Sequence, residues 1–509
     1  MRRTTSRIAV GLLILLATTS LLAQDLSSFE ERTTMRTLDN GLTVIVVERH
    51  EAPVFSFFTH VDTGADRETI GITGLAHMFE HMAFKGTDQI GTTDYQAELE
   101  ALEKVEEAYH AYDRARRAPQ GTDPQRLEEL EQAWQDAMDA ADEYVVSNEF
   151  GEIIDRVGGV GLNAFTSYDE TGYFYSFPAN QLELWAYLES ERFLNPVMRE
   201  FYKERDVVME ERRMRTESNP IGRLIEQFLA TAFTAHPYGR PVVGWPSDLQ
   251  TFSATDAMEF YEEYYVPANM VVTLVGNLNP DEVWPIVEKY LGRLPAAPEP
   301  APLRTVEPEQ FAEREVVIVE ETQPFYVEGY QKPAGDHPDA AIYDAIADIM
   351  SSGRTSRLYR SLVRDKKIAA VAAGFNDFPG DKYRNLFAFY AVPTPGHTPE
   401  EMQEAIREEI EKLKSEKVSE AELEMVKTKA KANLLRQLRS NQGMALQFGS
   451  YQARYGDWRE LFREVDKIEA VTADDVLRVA NEAFVAKNRT VGMIKSTQMA
   501  EVPAEGGNQ

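Results

Sequence analysis

Two histidines and a glutamate, His77, Glu80 and His81, fall within five positions of an otherwise apolar run formed by Met78, Phe79, Met82, Ala83 and Phe84. On a helix, residues four apart share a face, so the rings of His77 and His81 can converge on one point. Neutral imidazole is a common metal ligand, and zinc accepts it readily. Glu80 is offset from both histidines, so its carboxylate reaches a water beside the metal rather than the metal itself. A catalytic zinc needs three protein ligands, an open position for water and a base. The run supplies two ligands and the base. Two structural histidines, satisfied inside a core, are the alternative; Glu80 between them weighs against it.

The third ligand must come from elsewhere, and "KERDVVMEERR" offers it. Glu204 and Glu211 are seven residues apart, on one helical stripe with Val207 and Val208, whereas Glu210 is rotated about 100° away and looks outward. A carboxylate on an apolar stripe is costly unless a cation meets it. Glu211 is therefore expected as third ligand, with Glu204 supporting the site from behind. A salt bridge from Glu211 to a nearby arginine is the competing reading.

The elements that must position these groups lie in a long, acidic chain. Its 509 residues carry a formal net charge of -31, are 43% hydrophobic, and include eight histidines and no cysteine. Length argues for more than one domain. The charge argues against nucleic acid, which needs a basic stripe. Without cysteine there is no disulfide, thiolate ligand or cysteine nucleophile, so any metal must use His, Asp or Glu. Residues 1–23 read as a signal peptide: Arg2, Arg3 and Arg7, an apolar stretch from Ile8 to Leu16, then small residues up to Ala23. An uncleaved anchor is the alternative. The expected mature chain is soluble and exported, periplasmic or extracellular in a bacterium, with no membrane segment after cleavage.

The organisation reads as a duplication. A Pro- and Ala-rich linker at 294–310 separates an N-terminal domain, 24–293, from a C-terminal one, 311–498. Each ends on a similar phrase: Ala254, Asp256, Tyr265 and Asn269 fall opposite Ala473, Asp475, Phe484 and Asn488, all offset by 219. Both phrases read as a capped amphipathic helix, a turn and an apolar strand. Strands are expected near 42–48, 54–61 and 162–177, and helices around the histidine pair and from Ala179 to Asn219. Residues 94–147 read as an inserted acidic helical hairpin, with Leu99, Leu102, Tyr109, Leu127, Leu130, Trp134 and Met138 at helical spacing. The mixture predicts α+β domains with mostly antiparallel sheets. The aromatic set Tyr168, Tyr173, Phe174, Tyr175 and Phe177 reads as strand core before pocket, and His50, His60, His236, His337 and His397 as structural or solvated.

His77, Glu80 and His81 form an H-x-x-E-H motif, the inverted zincin pattern. "GLAHMFEHMAFKGT", "LDNGLTVIV", "ERDVVMEERR", "NAFTSYDETGY", "HPYGRPVVGWPSDL" and "SGRTSRLYRSLVRDKKIA" together resemble the insulinase and processing-peptidase (pitrilysin-like) family of zinc metallopeptidases, over nearly the whole mature chain. The resemblance implies two homologous domains, each a mostly antiparallel sheet covered by helices, forming half of a clamshell that closes around a chamber. It implies one Zn²⁺ per chain on His77, His81 and Glu211, with Glu80 as base and then proton donor. Peptide substrates would pair with the strand edge at Asn163 and Ala164.

Two features depart from the pattern. His81 and Glu211 are 130 positions apart (211 − 81), longer than in most relatives, and the acidic hairpin accounts for the excess, placed on the rim. Arg364 matches a substrate-steadying arginine, but the tyrosine expected seven residues later is Val371. The expected partner is a second subunit of the family without the zinc motif, supplying the arginine and tyrosine; a homodimer is the alternative. A non-catalytic peptide-binding or structural subunit is a second reading, and peptide capture without cleavage a third; the intact His77, Glu80, His81 and Glu211 set weighs against both.

Overall fold

The computed structural model describes residues 26–497, so the signal-like segment 1–23 lies outside the described residues. Two sheets organise the chain. The first holds β1 (Thr33–Thr37), β2 (Thr43–Glu48), β3 (Val54–Val61), β4 (Val160–Thr166), β5 (Thr171–Pro178) and β6 (Met270–Gly276), in the order β1-β2-β6-β3-β5-β4. The second holds β7 (Arg314–Glu320), β8 (Phe325–Lys332), β9 (Ala369–Phe378), β10 (Asn385–Pro393) and β11 (Arg489–Ser496), in the order β7-β11-β8-β10-β9. In each half the last strand pairs in parallel with an early one, β6 with β2 and β11 with β7, and the remaining pairs are antiparallel. Apart from the added β1, the two sheets have the same order and sense. Both are mostly antiparallel, in an α+β fold.

The helices needed below are α1 (Leu75–Met82), α2 (Tyr95–Arg116), α3 (Pro124–Asp142), α4 (Leu182–Leu194), α5 (Phe201–Arg212), α6 (Pro220–Ala232), α7 (Ala254–Tyr264), α8 (Asn441–Tyr455) and α9 (Ala473–Ala483). The duplicated phrases are α7 with β6 and α9 with β11. Ser253 and Asp256 close a capping box on α7, and Thr472 and Asp475, 219 positions on, close the same box on α9.

One arrangement exceeds what the sequence pattern implied. Each half covers its partner's sheet with one of its own helices. On the first sheet, Val44, Val46, Phe55, Phe57 and Tyr175 join Phe79 of α1 and Trp185 of α4 in one core. The opposite face, Ile45, Val47, Phe58, Val271 and Val275, packs on Phe448 of α8, which belongs to the C-terminal half. Reciprocally, Leu224, Phe228 and Leu229 of α6 cover Phe325, Val327 and Ile494 of the second sheet. With both faces covered, β2 and β6 read as continuous apolar runs rather than alternating ones. Gly449 permits the contact: a Cβ there would lie 2.7 Å from the Phe58 ring.

Residues 295–313 form no helix or strand. They are nevertheless pinned, since the buried Glu307 carboxylate accepts the backbone N–H groups of Thr234, Ala235 and His236 at 2.8, 2.9 and 3.0 Å. No helix among the described residues is long and apolar enough to cross a membrane.

Candidate metal centre

The helix carrying the histidines is fixed at its start. Gly74 precedes α1 with φ 96°, and a Cβ there would stand 2.8 Å from Val243 O and 3.0 Å from Gly244 Cα. Buried Glu68 accepts the N–H groups of Gly74 and Ala76, both at 2.8 Å, taking two otherwise unpaired donors of the first turn. Asp248 accepts from the Gly71 and Thr73 amides and the Thr73 hydroxyl. From this anchored start, Leu75, Ala76, Met78, Phe79 and Met82 enter the core. The apolar residues around the histidines thus hold down one face while His77 and His81 share another.

Glu211 on α5 meets them there. Its Oε2 lies 3.7 Å from His77 Nε2 and 3.6 Å from His81 Nε2. One donor atom from each of the three residues falls within 4.8 Å of the others, the only such group found among the described residues. Two imidazoles and a carboxylate are a zinc donor set. Burial, with the neighbouring His81 and Arg215, pushes His77 down to about 3, so it stands as a neutral imidazole with a lone pair to give. Around the set, the carboxylates of Glu80, Glu200, Glu204 and Glu211 face the cations of Lys85 and Arg215, an excess of negative charge that suits a dication. The residues fit zinc.

The surrounding groups orient the donors. Glu204 Oε1 lies 2.9 Å from His81 Nδ1, which leaves Nε2 of that ring directed toward Glu211. Burial works against charge on Glu204, but His81 and Lys85 outweigh it and hold its carboxyl down at about 2. Glu80 is hydrogen-bonded by Thr166, yet burial raises its pKa above the ordinary glutamate value. Glu80 and His81 border a cavity of about 330 Å³ that Asn163 and Ala164 also line. Both lie on β4, the outermost strand of the first sheet, and the Ala164 N–H is taken by Asn163 Oδ1 at 3.0 Å rather than by a neighbouring strand. A larger cavity, about 890 Å³, lies between the halves around Asp62, Lys382 and Arg454, and holds none of the donor set.

Residues 43–115 and 141–245 match the sequence model of the insulinase family (peptidase family M16), and residues 251–430 match the peptidase M16 inactive domain. The zinc protease PqqE of Helicobacter pylori is 30% identical over 467 residues, spanning 90% of this chain and 92% of that protein. The chain belongs to the M16 family. A crystal structure of a protease from Helicobacter pylori has 28% sequence identity and a TM-score of 0.75, over 91% of this chain and 99% of that one. The periplasmic protease PqqL of Escherichia coli shares the fold at 17% identity and a TM-score of 0.67, over 92% of this chain but only 48% of PqqL. This M16 chain therefore spans about half the length of PqqL.

Within this M16 fold the expected residues do not all converge. His77, Glu80, His81, Glu204, Glu211, Asn163 and Ala164 come together. Arg364 does not: it is exposed, its guanidinium engages the adjacent Asp365 at 2.6 and 2.9 Å, and no contact joins it to the histidine pair. The inward stripe on α5 also needs correction. Val208 is fully buried but Val207 is 52% exposed, because the core-facing side of α5 is turned toward Val208 and Val207 falls on the solvent side of the two glutamates. The competing reading of Glu211 is met by one oxygen, Oε1, which pairs with Arg215 at 2.6 Å, while Oε2 faces the histidines. Glu210 faces outward, bonded to Arg213.

The hairpin of α2 and α3 is more than a solvated rim. Glu98 of α2 makes a buried ion pair with Arg199, just before α5, and Arg205 of α5 donates to the Tyr109 hydroxyl and stacks near Trp134. The hairpin thus braces the helix that carries Glu211. The family model leaves 116–140 unmatched, the turn and most of α3. Of the aromatic set, Tyr173, Tyr175 and Phe177 are buried in the core, whereas Tyr168 and Phe174 are half-buried against it. Sequence reasoning missed Lys85, Glu200, Arg215 and Thr166. Lys85, four residues beyond His81, was the accessible signal.

Proposed function

We propose that this chain is a zinc-dependent endopeptidase that cleaves peptides or unfolded polypeptides in an enclosed chamber. The observation that carries this is the convergence of His77, His81 and Glu211 with Glu80 beside them, facing a cavity bordered by a free strand edge. His77, His81 and Glu211 would hold the ion, one per chain. Bound zinc supplies Lewis acidity, which polarises the scissile carbonyl and makes water more acidic. A peptide pairs along β4 at Asn163 and Ala164, displacing the Asn163 side chain from the Ala164 amide; backbone pairing of this kind tolerates many side chains. Glu80 takes a proton from the attacking water and delivers it to the leaving nitrogen as the C–N bond breaks, and its raised pKa suits both steps.

The substrate chamber needs a second half. The match to 48% of PqqL supports this, as does the exposed Val371 where the family pattern places a tyrosine. The proposed partner is a zinc-less family member donating that tyrosine with its arginine, and a homodimer is the other assembly. Native mass spectrometry of the endogenous complex showing this chain alone would exclude the heteromer. The leader at 1–23 supports export to the periplasm or beyond, which cell fractionation tests.

The deciding experiment is cleavage of a quenched peptide by the zinc-loaded mature chain, with Glu80→Gln as control. Loss of about 10²- to 10⁴-fold in the control, with zinc retained, is expected. Equal hydrolysis by both proteins would end the proposal; silence from a zinc-loaded chain until the partner is added would support the heteromer.

A further inference from the structure

Lys85 is held at both ends. Its ammonium lies 2.7 Å from Glu204 Oε2 and 3.2 Å from Glu200 Oε2. Its carbonyl accepts from the Arg199 guanidinium at 2.6 Å. That same guanidinium is buried, bonded to Thr87 O and Ile90 O, and paired with Glu98. A lysine side chain has much rotamer entropy to lose, so it rarely settles into one geometry without strong partners. Glu200 strengthens the case. It adopts a left-handed conformation, φ 57°, which non-glycine residues seldom occupy, and its carboxylate faces Lys85.

The connection runs onward to the metal centre. Glu204 uses Oε2 for Lys85 and Oε1 for His81 Nδ1, so the lysine fixes the carboxylate rotamer on which the histidine depends. With Nδ1 committed as donor to Glu204, Nε2 of His81 is the nitrogen left for the ion. We propose that Lys85 is a positioning residue of the metal centre, gripped by Glu200 and Glu204, and that through Glu204 it sets the aim and tautomer of His81. This rests on reading His77, His81 and Glu211 as a zinc site. Were the pair merely a tie between the loop after α1 and α5, its loss would lower stability and leave zinc affinity alone.

The experiment measures zinc affinity of the full mature chain by competition with a chromogenic chelator, alongside thermal unfolding of the metal-free protein. Lys85→Met should weaken zinc binding by about tenfold, the low end for loss of a group supporting a ligand, and Lys85→Arg should recover most of it. Glu200→Asn tolerates the left-handed backbone but is too short to hold the ammonium, and should give a smaller loss of the same sign. Unchanged affinity in folded Lys85→Met overturns the proposal. Should Lys85→Met fail to fold, Glu200→Asn decides: a loss of affinity supports the proposal, and unchanged affinity overturns it. Absence of zinc from the unmodified protein would instead remove the site itself, a different failure.

Discussion

Arg215 Nη1 lies 2.6 Å from Glu211 Oε1, while Glu211 Oε2 faces the two histidines. The proposed third ligand, Glu211, therefore already has one oxygen held. Arg215 is mostly exposed, so the pair is weak in water, worth up to about 1 kcal/mol. Arg215→Ala should lower zinc affinity by about fivefold at most and leave thermal stability nearly unchanged. Chelator competition checks it; a loss of a hundredfold would mean Arg215 acts on the site by another route.

Gly74 sets the entry to α1. A side chain there meets backbone, not flexible atoms, at 2.8 and 3.0 Å, and its φ of 96° disfavours any L residue. Gly74→Ala should cost about 1–3 kcal/mol and weaken zinc binding by displacing the first turn beneath His77. A variant melting like the parent with unaltered zinc affinity would show that the loop after Glu68 yields freely.

The candidate metal centre could be read in the sequence because its spacing is local. His77 and His81 share a helix face by arithmetic, and the seven-residue step from Glu204 to Glu211 does the same. What was missed depends on partners distant in sequence. Val207 and Val208 look equivalent as letters, and only the packing of α5 decides which is buried. No spacing read from the sequence pointed to α6 or α8, because what each covers is the other half's sheet. The spacing of Lys85 from His81 places it near the histidines, but nothing local names the two carboxylates, more than a hundred positions away, that hold it.

His60 reports on the boundary between the halves. It lies on β3 with Nδ1 2.7 Å from Glu170 and Nε2 3.9 Å from Asp62; Asp62 pairs with Lys382, and Glu170 accepts from Ser450 of α8. Burial opposes charge on this imidazole, but Glu170 and Asp62 outweigh it and push His60 up to about 9. Because the folded value is raised above the ordinary 6.5, the stabilisation is complete below that pH and is lost as pH rises through about 9. Asp66 and Asp344, raised by burial to about 7, change stability in the same direction over a lower window. The His60 part is therefore read as a difference. The melting temperature should fall between pH 7 and about 9.5 more steeply in the parent than in His60→Gln. Parallel curves would remove His60 from the account.

The reciprocal helices make each half dependent on the other. Residues 26–293 alone would expose Ile45, Val47, Phe58, Val271 and Val275 to water, because α8 is the element that covers them. Phe448 is fully buried in that contact and stacks on Trp458 at 4.5 Å between ring centroids. Phe448→Ala should therefore cost about 3–5 kcal/mol, felt in the first sheet although the residue belongs to the C-terminal half. The full chain should unfold in one transition, and the isolated 26–293 fragment should aggregate or melt without cooperativity. Urea unfolding followed by tryptophan fluorescence and circular dichroism tests both. A monomeric fragment with a sharp transition of its own would mean that the first half completes its core without α8.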